Sequence, residues 1–76
     1  MTTLEDLVAE VLGVSPVSVT DDLSPRTEGS WTSLRHVQLM SAARRAYGVT
    51  LAPREMRSIR SVGDLRALLR AHGVDA

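Results

Sequence analysis

A chain of 76 residues has room for one small core and buries only about 60% of the surface its unfolded form exposes. With no cysteine, and with His36 and His72 far apart, no disulfide framework is possible and no metal site is expected. Nine arginines balance nine acids, which excludes a strong overall attraction to nucleic acid; no apolar run approaches the roughly 20 residues of a membrane span and no secretory leader opens the chain, so the sequence reads as soluble and cytoplasmic.

The first helix is predicted from Leu4 to Leu12. Thr3 is its N-cap, with Asp6 three residues on, and Gly13 is its stop. Leu4, Leu7, Val8, Val11 and Leu12 recur at the helical period and form its buried stripe, while Glu5, Asp6 and Glu10 face water. Val14 to Trp31 then reads as a long loop, with Pro16, Pro25, Gly29 and the Asp21–Asp22 pair interrupting any periodicity. A connection this long inside a small domain points to function or to an unrecognised element. Its expected anchors are Val14, Val17, Val19 and Leu23, with a short helical turn near Thr20 to Leu23.

The second helix starts at Thr32 or Ser33 and ends near Tyr47, with Gly48 as its stop. Leu34, Val37, Met40, Ala43 and Tyr47 step by three or four and give the expected buried stripe; Arg35, Gln38, Ala42 and Arg45 share a polar face that should be exposed beside Ser33. Pro53 opens a short helix to about Ile59. Ser61 caps the last helix, with Asp64 in its first turn; Val62, Leu65, Leu68 and Leu69 form its stripe and Gly73 ends it. The chain therefore reads as one domain over residues 1–76, an all-α monomer of three long helices and one short one, with its core around Leu7, Val11, Val37, Met40, Ile59, Leu65 and Leu68.

The segment from Gly29 to Met40 carries the chemistry. A serine opening a helix stands beside unpaired backbone N–H groups and the positive end of the helix dipole, where a phosphate is stabilised. Nothing else in the chain resembles a catalytic centre: there is no histidine–carboxylate–nucleophile spacing and no glycine-rich phosphate loop. His36, three residues after Ser33, reads either as a base for that serine or, the favoured reading, as a partly buried histidine with one hydrogen bond. Trp31 is expected to cover the core rather than to bind a ligand. The arginines of the later helices read as solvated faces.

Thr32-Ser33-Leu34 resembles the Asp-Ser-Leu motif of acyl carrier proteins. The likeness extends from about Leu4 to Ala71 and includes Tyr47-Gly48 and Ser61-Val62-Gly63-Asp64-Leu65. Such a resemblance implies a small four-helix bundle, non-catalytic, in which a phosphopantetheinyl transferase moves 4′-phosphopantetheine from coenzyme A onto Ser33. The arm then presents acyl groups as thioesters to enzymes such as a ketosynthase or an acyltransferase. It implies docking through Thr32, Leu34, Arg35, Gln38, Ala42 and Arg45. Trp31 ahead of the serine is similar to discrete carriers with a Trp-Asp-Ser-Leu motif, and the resemblance implies a polyketide-type or related specialised-metabolism carrier, either a discrete protein or a domain of a megasynthase.

Two departures alter that expectation. Thr32 still caps a helix but offers no carboxylate to a metal or a basic partner. The second helix, usually acidic in this family, carries Arg35, Arg44 and Arg45, so its partners should be acidic. The competing readings are an unmodified carrier-like module that recruits a partner through the arginine-bearing helix and, more weakly, a nucleic-acid-binding helical domain.

Overall fold

The computed structural model describes residues 3–76, in which four α-helices and one 3-10 turn follow one another along the chain. Helix α1 spans Leu4–Leu12, α2 Ser33–Tyr47, α3 Pro53–Ser58 and α4 Val62–Ala71; among the described residues there is no strand. The all-α bundle expected from the sequence is the fold observed.

Local chemistry accounts for the helix ends. The hydroxyls of Thr3, Thr32 and Ser61 accept from the N–H groups of Asp6, Arg35 and Asp64 at 3.1, 3.2 and 3.1 Å, each satisfying one orphan donor of a first turn. Gly13 and Gly48 close α1 and α2 at φ +72° and +65°, a backbone region that strains any residue with a Cβ. At α3, Pro53 occupies the first helical position and the Glu55 carboxylate accepts from the Ala52 N–H at 2.9 Å. This bond, followed by one from His72, holds the Glu55 carboxyl below the usual carboxylate range.

The core joins Leu4, Val8 and Leu12 of α1 to Leu39, Met40 and Ala43 of α2 and to Val62, Leu65 and Leu69 of α4, with Trp31, Leu51 and Ile59 closing it. Of the core expected from the sequence, Leu7, Met40, Ile59 and Leu65 are buried and Val11 and Leu68 are half-buried. Two expected members of the α2 stripe are not in it: Leu34 is 66% exposed and Val37 is 62% exposed. Successive helical residues rotate by about 100°, so Leu39, Met40, Ala43 and Tyr47 define a face from which Leu34 and Val37 are turned away. Leu39, absent from the expected stripe, is fully buried.

The long connection is held more firmly than a loop reading suggests. A 3-10 turn at Pro16–Ser18 stands where no element was expected, started by the fixed φ of Pro16. Thr20 to Leu23, where a short helical turn was expected, forms a single turn closed by the Leu23 N–H on the Thr20 carbonyl at 3.0 Å. Val19 is buried and Val14 and Leu23 are half-buried, as anchors should be, but Val17 is 90% exposed at the apex of the 3-10 turn.

The loop is pinned to the start of α4. The N–H groups of Val62 and Gly63, orphans of that helix's first turn, donate to the carbonyls of Leu23 and Asp21, both at 3.0 Å. A Cβ on Gly63 would stand 3.2 Å from the Asp21 carbonyl oxygen, so a side chain there would push the connection back by a few tenths of an ångström. Arg66, expected to be solvated, completes the junction. It donates to Asp21 at 3.1 Å, to Glu5 of α1 at 2.8 Å and to the Ala76 carbonyl at 2.8 Å. Glu5, expected to face water, is consequently half-buried, and the bond from Arg66 holds its carboxyl below the ordinary range.

Candidate functional site

The approach to Ser33 is a chain of turns. Glu28 N–H donates to the Ser24 carbonyl at 2.9 Å, Ser30 donates from both its N–H and its hydroxyl to the Glu28 carboxylate, and Trp31 N–H donates to the Glu28 carbonyl at 3.1 Å. These bonds deliver Trp31 into the core, 3% exposed, so that it covers the bundle as expected. Thr32 then caps α2, and Ser33 emerges as its first residue with an exposed side chain.

Among the described residues the Ser33 hydroxyl makes no hydrogen bond, and the N–H groups of Ser33 and Leu34 meet no acceptor. A nucleophilic oxygen and two outward N–H donors thus share the positive end of a 15-residue helix. Beside them lies a groove of about 390 Å³ lined by Pro25, Trp31, Thr32, Ser33, His36, Val37 and Ile59. Its walls are largely apolar and its rim holds the hydroxyl. That donor set suits a phosphodiester on the serine oxygen followed by a flexible, partly apolar arm.

His36 has a different task from acting on Ser33. Its Nδ1 accepts from the Trp31 indole N–H at 3.1 Å, and its Nε2 lies 2.9 Å from the Met56 carbonyl in α3. Because Nδ1 is the acceptor, Nε2 carries the hydrogen and donates. The Trp31 and His36 rings stack with centroids 6.1 Å apart. Both ring nitrogens are therefore engaged. His36 makes two hydrogen bonds rather than the one expected, and it links the serine approach to α3.

The residues proposed from sequence for docking divide. Thr32, Leu34, Gln38 and Arg45 are exposed. Arg35 is half-buried, and its guanidinium donates to the Val11 carbonyl at 2.9 Å. It caps the C-terminal end of α1, where carbonyls lack helical partners. The expectation that Arg35 points freely into solvent is thus corrected. Ala42 is half-buried and turns the same way, lining an open groove of about 580 Å³ between α1 and α2 with Leu7, Glu10, Val11, Gln38, Arg45 and Ala46.

Val37, like Leu34, was misplaced by the sequence reading. It follows Ser33 by one turn, on the flank of α2 that faces α3, and shares a groove of about 240 Å³ with His36, Met40, Pro53, Met56 and Arg57. The spacing Ser33, Val37, Arg44 held the signal, since steps of four and seven return to one helix face. Among the described residues no group of three or more metal-ligating side chains comes together, and no helix is long and apolar enough to cross a membrane.

A family model described as a phosphopantetheine attachment site matches residues 2–69. No curated protein matches the chain closely enough to count as a relative.

Proposed function

Because the chain belongs to the phosphopantetheine-attachment family, we propose that Ser33 is the residue that carries its 4′-phosphopantetheine. Members of this family are non-catalytic carriers that receive the group covalently, and they work with phosphopantetheinyl transferases and with acyl-processing enzymes. The observation that carries the assignment to Ser33 is its exposed, unbonded hydroxyl at the start of α2, beside two outward N–H donors. Attachment would form a phosphorus–oxygen bond at Ser33 Oγ and break the pyrophosphate linkage of coenzyme A, whose adenosine 3′,5′-bisphosphate half leaves; the hydroxyl proton passes to a base on the transferase, since His36 is engaged with Trp31 and Met56. The group, once bound, supplies a terminal thiol that holds acyl cargo as a thioester.

The chain's own residues present and support that arm. The Thr32 hydroxyl fixes the helix start, and the groove walled by Trp31, Val37 and Ile59 offers the arm an apolar flank. Thr32, Leu34, Gln38 and Arg45 border the serine as docking positions; Arg35 and Ala42 contribute by holding α2 against α1. Trp31 ahead of the serine, the feature shared with discrete carriers, supports a place in polyketide or related specialised metabolism.

Incubation with coenzyme A, magnesium and a broad-specificity transferase, followed by intact mass measurement, tests the site. The expected result is one phosphopantetheine per chain and none on Ser33→Ala. Modification that survives in Ser33→Ala assigns the arm to another residue. Absence of modification with several transferases, the native one included, favours the unmodified interaction module.

A further inference from the structure

The first turn of α2 is tied down on both sides of Ser33. Arg35, two residues on, reaches the Val11 carbonyl of α1 at 2.9 Å. His36, three residues on, reaches the other way, to Trp31 in the approach and to Met56 in α3. Helix α3 is short and contains no buried residue. Among the described residues, the hydrogen bonds that join it to α2 and to the end of α4 each involve a histidine: His36 with the Met56 carbonyl and His72 with the Glu55 carboxylate, both at 2.9 Å. Trp31 depends on the same imidazole. It is buried, and His36 Nδ1 is the acceptor of its indole N–H. A buried donor that loses its acceptor is costly.

We propose that His36 is a positioning residue for attachment at Ser33, holding the approach in place through Trp31 for as long as its Nδ1 is unprotonated. The inference rests on the Ser33 reading. In that transfer the phosphoryl group of coenzyme A passes to Ser33 Oγ, adenosine 3′,5′-bisphosphate leaves, and the hydroxyl proton goes to the transferase. His36 therefore touches no reacting atom. It acts on the backbone path from Trp31 through the Thr32 cap to Ser33, and on the groove that Trp31, Ser33 and His36 line together.

The bond from Trp31 needs a lone pair on Nδ1. A proton there turns the acceptor into a donor, so two N–H groups oppose each other across a 3.1 Å gap while the bond to Met56 survives. Among the described residues no carboxylate pairs with His36 to offset the new charge. Of the residues that share a groove with it, Arg57 is the charged one. The other cations on the two elements it joins are Arg26 and Arg54, and the acids there are engaged: Glu28 accepts from Ser30, and Glu55 accepts from Ala52 and pairs with His72. Arg35, on its own helix, is turned to Val11. Protonation thus releases Trp31, and attachment should slow as the ring gains its proton and recover as it loses it. A proton on His72 acts in the opposite sense, strengthening its bond to Glu55, and His72 is kept in every variant below so that ratios between them remove it.

The test measures attachment rates on the whole chain with coenzyme A, magnesium and one transferase, between about pH 5 and 8, where imidazoles change charge. His36→Asn places an amide oxygen near Nδ1 and does not titrate, whereas His36→Gln reaches toward Met56 and leaves Trp31 unpaired. Each variant loses one of two hydrogen bonds, so a merely structural role would lower both alike. The expected result is that His36→Asn stays within about threefold of the native rate at neutral pH and His36→Gln falls about tenfold. The native rate relative to His36→Asn should drop about tenfold on acidification across that range. In 15N spectra of the native chain, the Trp31 indole N–H and the Ser33 and Leu34 amides should move together with the His36 ring protons. Equal losses in the two variants, a native-to-Asn ratio constant with pH, or Ser33 and Leu34 amides that ignore the His36 titration would each overturn the proposal. If circular dichroism shows either variant unfolded, the spectra of the native chain decide. Normal modification of Ser33 with any of those results removes the role of His36 alone; no modification of any chain removes the Ser33 reading itself.

Discussion

Two regions of this small bundle use the same kind of side chain in opposite ways. Where α1, the long connection and α4 meet, Arg66 sits between Glu5, Asp21 and the C-terminal carbonyl, while Asp21 and Leu23 accept from the first N–H groups of α4. On the face that carries Ser33, Arg44, Arg54 and Arg57 have no ion-pair partner among the described residues, and Leu34 and Val37 lie open to solvent. The first region satisfies its charges internally and holds the connection in place. The second leaves both charge and apolar surface unmatched, and unmatched surface is what a partner can complete. In a domain with little core to spare, that contrast separates what folds the chain from what the chain is for.

The widest separation of the two regimes is expected within α2 itself. Leu39→Ala removes a fully buried side chain at the centre of the core and should cost about 2–5 kcal/mol, enough to unfold much of so small a domain in a denaturant titration. Val37→Ala, two residues away, should change stability by less than about 0.5 kcal/mol, because its side chain is already hydrated. Comparable losses for the two would mean that α2 is rotated from the orientation described and that the open face is part of the core.

His36 lies on the boundary between the regions and comes second. His36→Phe keeps a ring against Trp31 but removes the acceptor for the indole N–H and the donor for the Met56 carbonyl. It should cost about 1–3 kcal/mol. Trp31, the only tryptophan, reports the change directly through its fluorescence. A variant with native stability and native emission would show that the link between the serine approach and α3 contributes nothing.

Much of this architecture was legible in the sequence, for reasons that are local. Thr3, Thr32 and Ser61 cap through bonds to residues three positions away, and Gly13 and Gly48 end helices through their own backbone freedom, so each signal lies within its own segment. The position of Ser33 at a helix start was legible on the same ground. The orientation of α2 was not. With apolar residues at 34, 37, 39, 40, 42, 43, 46 and 47, the helix supports more than one stripe, and only its neighbours choose among them. Nor could spacing foretell that Arg35 would reach Val11 or that Arg66 would reach Glu5. Those partners are 24 and 61 residues apart and meet only when the bundle closes.

The closed junction predicts a smaller and pH-dependent effect. Arg66→Met retains much of the aliphatic bulk while removing bonds to Glu5 and Asp21, two partly exposed acids, and should cost on the order of 1 kcal/mol at neutral pH and low salt. The Glu5 carboxyl is depressed in the folded protein, first by its bond from Arg66. A depressed carboxyl contributes stability that is present above its unfolded value and is lost as pH falls through its folded one. The native chain should therefore lose stability on acidification below the ordinary carboxylate range, and Arg66→Met should lose less over the same window. Parallel acid limbs for the two proteins in urea titrations would show that the Arg66–Glu5 pair is solvated surface.

The smallest change is expected to favour the fold. Thr32→Asp keeps a capping side chain able to accept from the Arg35 N–H and adds a negative charge at the N-terminal end of α2, whose first turn contains no acid. An acid at that end is stabilised by the helix dipole, so the variant should gain about 0.3–1 kcal/mol at low salt, with the gain falling as salt is added. The same substitution restores the Asp-Ser-Leu pattern beside Ser33 and supplies the carboxylate that a metal-assisted or basic transferase would meet there. Modification by a generic transferase should therefore quicken relative to the native chain, and the effect should grow when Arg44 and Arg57 are also reversed to glutamate. The two readouts test different halves of the contrast. A gain in stability without faster modification would confine Thr32 to capping and leave recognition to the arc formed by α2 and α3. Faster modification without a gain in stability would make the residue before the serine part of the surface a transferase reads.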